Sequence, residues 1–169
     1  YELERRQLGK LYTELSRMTV APVDGLDAPR ASATITETRL ALAALARLRT
    51  MEAIRCVSLM NQAERIRLSL LTLARLRARM VRHDQGLAPA EIVDQVLTLA
   101  SRILDSIGKL LASGEAADAT AAWAVELQGL AEPLAREAAK ETSAFLAAVI
   151  ASARFQTDAL AGQLRAAVD

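Results

Sequence analysis

The stretch Leu59-Met-Asn-Gln-Ala-Glu-Arg-Ile-Arg-Leu-Ser-Leu-Leu-Thr-Leu-Ala-Arg-Leu-Arg77 decides the fold class. On a helix turning about 100° per residue, Leu59, Ile66, Leu70, Leu73, Leu76 and Met80 fall within roughly 120° of one another. A stripe of that width is the core-facing side of an α-helix. Leu68 and Leu71 fall on the far side, so the spacing predicts a helix buried on two faces.

The same pattern extends in both directions. No Gly or Pro occurs between residues 31 and 84. One unbroken helix of that length would be on the order of 80 Å long. The alternative is a break near Arg49-Thr50, with Thr50 capping a new helix and Glu52 and Ala53 in its first turn. The sequence leaves both open.

Breakers divide the rest. Pro22, Gly25 and Pro29 mark a loop over 20–29, Gly86 and Pro89 a second, Ser113-Gly114 a third, and Gly129 to Pro133 a fourth. The segments left are about 1–19, 31–84, 90–112, 115–129 and 133–168. Ser32 or Thr34, Pro89 with Glu91, and Pro133 stand where helices start. In the last segment Leu134, Ala138, Phe145, Val149, Ser152 and Phe155 follow 3-, 4- and 7-residue steps, and small alanines beside them let neighbouring helices approach closely.

Composition agrees. Of 169 residues 35 are Ala and 27 Leu, against 7 Gly and 4 Pro. Ala and Leu lose little on entering a helix, whereas strands favour the β-branched and aromatic residues that are thin here. The expectation is an all-α, antiparallel bundle of five to six helices, some long, forming one domain over residues 1–169. An apolar fraction of 52% excludes intrinsic disorder, and the single Cys56 excludes a disulfide scaffold. The longest uncharged run, Thr142 to Ala153, is shorter than the roughly 20 residues a transmembrane helix needs. It reads as a buried core helix, and the piece is expected to be soluble. Position 1 is Tyr rather than Met, which suggests a segment cut from a longer protein.

Charge is balanced overall and uneven along the chain. Residues 1–83 carry 15 Lys/Arg against 8 Asp/Glu, and residues 84–169 carry 6 against 12. The plain reading is two solvated helical layers that attract each other; the sharper one is a basic half facing an anionic surface.

Chemistry is sparse. His83 is the only histidine, so no di-iron bundle, zinc site or haem pair can be assembled from the expected ligand types. His83 reads as an exposed residue at a helix C-terminus, and Cys56 as a small buried hydrophobe. The pairs Asp24/Asp27 and Glu137/Glu141 read as solvated surface. No glycine-rich phosphate loop is present. No catalytic residue, cofactor or metal is expected. Arg75, Arg79 and Arg82 form a stripe at i, i+4, i+7, the candidate lipid- or partner-facing residues. With aromatics at 3% and net charge +1, nucleic acid is not the expected partner. Trp123, in Ala121-Ala-Trp123, reads as a core anchor.

The run Asn61 to Arg77 resembles a helix common in the fusaric-acid-resistance-like (FUSC) inner-membrane proteins. Arg5-Arg-Gln-Leu-Gly-Lys-Leu-Tyr12 is similar to the helix leaving their first membrane half, and Ala121-Ala-Trp123 with Leu127 also fits. Thr50 to Ser58 departs from the family, which often has a polar or Gly-containing break there. The resemblance implies the helical domain between two blocks of membrane helices in an exporter of fusaric or aromatic acids. It would be non-catalytic, regulatory or assembly-forming, homo-oligomeric, and in contact with its own membrane segments. Arg5, Arg6, Lys10 and Arg17 near the start would favour the cytoplasmic side of the bacterial inner membrane. The alternatives are a sensory helical bundle of a membrane receptor and a free-standing scaffolding bundle.

Overall fold

The computed structural model describes residues 1–20, 27–115 and 117–169, and of residues 27–31 the helical backbone only. The described chain is all-α: α1 (Glu2–Val20), α2 (Asp27–Leu42), a single 3-10 turn (Leu45–Arg47), α3 (Met51–Val81), α4 (Leu87–Ser113), α5 (Thr120–Gly129), α6 (Ala131–Lys140) and α7 (Ala144–Val168). No strand occurs among the described residues.

The centre of the fold is the crossing of α1 and α4. Ser16 Oγ donates to the Ser101 carbonyl at 2.8 Å, and Gly9 lies against Gly108 further along. One pairing near each end makes the two helices antiparallel. Glycine is required at the crossing. A Cβ on Gly9 would sit 2.9 Å from the Gly108 carbonyl, and one on Gly108 would sit 2.9 Å from the Gly9 carbonyl. Two helix backbones in direct contact leave no space for it.

Side-chain bonds fix the other directions. Tyr1 Oη meets Thr50 Oγ1 at 2.7 Å and Tyr12 Oη donates to the Leu59 carbonyl at 2.8 Å, so α1 and α3 run parallel. Arg67 Nη2 donates to Ser32 Oγ at 2.9 Å and Arg39 pairs with Glu64, which sets α2 antiparallel to α3. The short turn 82–86 and the Arg77–Asp94 pair make α3 and α4 an antiparallel hairpin. Ser106 Oγ meets Thr120 Oγ1 at 2.6 Å and accepts from the Ala117 amide at 3.1 Å, which folds α5 back along α4. α7 then covers α3 and α6.

The 31–84 question resolves at Thr50. Its side chain accepts from the Ala53 amide at 3.2 Å and starts α3. α4 ends as the sequence indicates, with Gly114 left-handed at φ 79°.

Several expectations are corrected. Of the loop read over 20–29, residues 21–26 lie outside those described, as does Asp24. From Asp27 the backbone is helical, so Pro29 sits in the first turn of α2, where proline is tolerated, and Ser32 and Thr34 lie inside that helix. The 133–168 segment is two helices. Glu141 Oε1 accepts from the Thr142 and Ser143 amides at 3.0 Å each, and Ser143 caps α7 by accepting from the Leu146 amide at 3.3 Å. Satisfying these amides outside a helix lets the chain turn. The positions stepped out in the last segment divide: Leu134 and Val149 are buried and Ala138 packs on the core, while Phe145, Ser152 and Phe155 are exposed; the α7 core face is Leu146, Val149, Ile150, Ala153, Thr157, Leu160, Ala161, Leu164 and Ala167. On α3, Leu68 is 60% exposed, so the helix is not buried on two faces there.

Candidate functional site

Chemistry-bearing groups in this bundle are few, and each has a structural job. Cys56 is buried, and burial, followed by the nearby Glu4 charge, pushes its thiol up. A thiol of that kind is a poor nucleophile. Tyr12 is fully buried, its phenol held well above its usual range by burial, and its hydroxyl anchors α1 to α3. His83 is half-buried rather than exposed. Its Nδ1 accepts from the Gln85 amide at 3.2 Å and its carbonyl accepts from Gly86 at 2.9 Å, so it shapes the hairpin. Gly86 is needed there because a Cβ would collide with the Met80 carbonyl. Trp123 is half-buried and packs on the edge of the core. Glu137 pairs with Lys140 at 3.6 Å, and Glu141 is occupied by the α6–α7 turn. Among the described residues no three His, Cys, Asp or Glu side chains come together as a metal site. A shallow groove of about 340 Å³ between α4 and α5 is lined by Asp94, Gln95, Thr98, Leu99, Arg102 and Glu126. Its charges are mixed, and Asp94 is already held by Arg77.

The concentrated feature is the outer face of α3. From Arg65 to Arg82 the chain carries six arginines and no acidic residue. Two of the six are engaged by neighbouring helices. Arg77 grips both oxygens of Asp94, its Nη2 at 3.1 Å from Oδ2, and this hydrogen bond raises its already high pKa further. Arg67 reaches Ser32 across the α2–α3 contact. The other four, Arg65, Arg75, Arg79 and Arg82, are exposed and make no hydrogen bond or ion pair among the described residues.

The three arginines singled out by spacing therefore do share one solvent-facing stripe. Sequence reasoning missed three of its positions, 65, 68 and 72. Arg65 and the exposed Leu68 continue it, since positions 65, 68, 72, 75, 79 and 82 step by three and four. Glu64, the acidic residue bordering this sector, is taken up by Arg39 of α2. The result is a row of guanidinium groups around one leucine, with the nearest carboxylate on its own helix neutralised. Such a row attracts anions, presents forked donors suited to phosphate, and offers no group for acid–base or nucleophilic chemistry.

No helix among the described residues is long and apolar enough to cross a membrane. Compared with known proteins, the chain matches no family model, no curated protein and no solved structure.

Proposed function

We propose that this chain is the non-catalytic helical domain of a bacterial inner-membrane transporter of the fusaric- and aromatic-acid exporter type. In this reading it lies on the cytoplasmic side and holds its α3 face against the anionic lipid headgroups. The observation that carries the proposal is the row Arg65, Arg75, Arg79 and Arg82, exposed and without ion-pair partners among the described residues. Basic residues close to an anionic leaflet contribute about 1 kcal/mol each, and guanidinium groups bind phosphate in a forked geometry. Leu68, between them, would enter the headgroup boundary. The resemblance of Asn61 to Arg77 to the FUSC helix supports the transporter assignment, because the same helix carries both features.

Cosedimentation with vesicles tests it. The protein should bind vesicles rich in anionic phospholipid and ignore purely zwitterionic ones. R75E/R79E/R82E should weaken binding on the order of 100-fold. Equal binding of the wild type and the triple variant, or none by either, contradicts the reading.

A further inference from the structure

The outer stripe of α3 does not end at Arg65. Followed back toward the start of the helix, it continues through Asn61, Ser58, Ile54 and Met51, stepping by three and four residues as the arginine row does. All four are exposed. The core positions Leu59, Ala63, Ile66, Leu70 and Leu73 step in the same way, so the outer stripe stays opposite the core along the helix.

Its composition changes along that length. From Arg65 onward it is arginine around one leucine; at the start of α3 it is apolar. Met51 is 81% exposed and Ile54 54%, and Leu48, which ends the 3-10 turn, is exposed as well. The core side of the same turns is filled by Ala53, Cys56, Leu59 and Met60 instead. The contact of Tyr1 Oη with Thr50 Oγ1 sets a further exposed large side chain against this end. Arg47, Arg49 and Arg55 border the patch, and their exposed side chains make no hydrogen bond or ion pair among the described residues. Glu52 is the one acidic residue from Arg47 to Asn61.

We propose that this end of α3 is an apolar anchor: Leu48, Met51 and Ile54 pass the headgroups of an anionic bilayer and reach its acyl chains, while the arginine row lies along the headgroups. The inference rests on the membrane reading above and adds where the protein enters the lipid. Composition and charge together choose the occupant. Interfacial segments combine large apolar side chains with Lys and Arg, and sink the apolar part about 5–10 Å into the headgroup and acyl boundary. Tyr1 at the border suits the same level, since its ring is apolar and its hydroxyl polar. A soluble acidic partner would satisfy the bordering arginines and leave Met51 and Ile54 in water. A purely apolar protein surface would cover Met51 and Ile54 and strand the guanidinium groups. An anionic bilayer satisfies both, with phosphates above and hydrocarbon below. The two parts respond differently to salt. Attraction along the arginine row is screened, whereas burial of apolar side chains is not. Binding therefore has a salt-resistant remainder, and that remainder belongs to residues 48–54.

Depth-dependent quenching on the whole chain tests it. A fluorophore is attached at Met51→Cys and, in a separate protein, at Arg79→Cys; Cys56 is buried and does not compete for the label. Phosphatidylglycerol vesicles carry a quencher either on the headgroup or within the acyl chain. The probe at position 51 should be quenched more by the acyl-chain quencher, and the probe at position 79 more by the headgroup quencher. M51S/I54S should bind roughly 10-fold more weakly than wild type, with an unchanged helical circular dichroism spectrum. It should also lose the remainder that wild type keeps at about 1 M salt. Vesicles that bind the protein while position 51 stays out of reach of the acyl-chain quencher overturn the inference and leave the membrane reading standing. Equal binding by R75E/R79E/R82E, with position 51 still quenched in the acyl region, contradicts the arginine reading and leaves the anchor. No binding by the wild type overturns both. Self-association that M51S/I54S abolishes, with position 51 unquenched on vesicles, would make the patch a protein contact and overturn the anchor as well.

Discussion

α3 and α7 pack side by side, with Ser69 Oγ donating to Gln163 Oε1 at 3.0 Å, and each turns one face inward and one outward. Inward they are alike: Leu, Ile and Ala, closely packed. Outward they differ completely. α3 shows Arg65, Arg75, Arg79 and Arg82; α7 shows one uncharged row of two phenylalanines, alanines, a serine and a glycine, with Arg154, Asp158 and Arg165 exposed beside it. A guanidinium row stays solvated until an anion replaces the water, and its attraction is long-ranged and sensitive to salt. An uncharged seam acts only on contact and selects by shape. One bundle therefore carries two kinds of surface on neighbouring helices.

The sharpest way to break this comparison is to cut both sides of α7. Leu160→Ala, on the inner seam, should cost about 2–5 kcal/mol of stability in urea unfolding, since Leu160 is fully buried. Phe155→Ala, on the outer seam, should change the unfolding of the monomer by less than about 0.5 kcal/mol. Equal losses would mean that both seams belong to the core.

Glycine gives the next contrast. Gly108→Ala should destabilise by about 1–3 kcal/mol, because the new Cβ meets the Gly9 carbonyl and the Thr13 hydroxyl across the crossing. Gly162→Ala, with open space around it, should instead stabilise the monomer by about 0.5–1 kcal/mol through helix propensity. Thermal melts of the two variants should move in opposite directions. Tyr12→Phe leaves packing intact but removes the hydrogen bond to Leu59, and should lower stability by about 1 kcal/mol. The smallest effect belongs to the outer face of α3. R75E/R79E/R82E should leave the unfolding midpoint within about 0.5 kcal/mol of wild type, since none of the three contacts the fold through an ion pair or hydrogen bond.

The two helices also show how far the sequence could be read. On α3, arginines mark the solvent side, so the apolar stripe Leu59, Ile66, Leu70, Leu73, Leu76 and Met80 was legible, as were the Thr50 cap and the Arg75, Arg79, Arg82 row. Leu68 was misread because a lone leucine among arginines carries no sign of its exposure. On α7 both seams are uncharged and both step by threes and fours. Periodicity alone ranks them equally, and the stepped positions read from sequence mix the buried Val149 with the exposed Phe145, Ser152 and Phe155. Burial of Leu146, Ile150, Leu160 and Leu164 in the core decides between them, which is tertiary information. The break before α7 did leave a signal, the capping sequence Glu141-Thr-Ser143, hidden within an otherwise uncharged run. The close approach of Gly9 and Gly108 joins positions far apart in the chain and had no local signature.

The proposed contact of the α3 face with an anionic bilayer is measured most directly by a pair of site-specific probes. An environment-sensitive fluorophore at Leu68→Cys, inside the arginine row, and the same fluorophore at Ser152→Cys, on the outer face of α7, would be titrated with anionic vesicles carrying a lipid-borne quencher. The account predicts strong quenching at position 68, reversed by high salt, and little at position 152. Quenching at 152 with none at 68, or equal quenching at both, would contradict it.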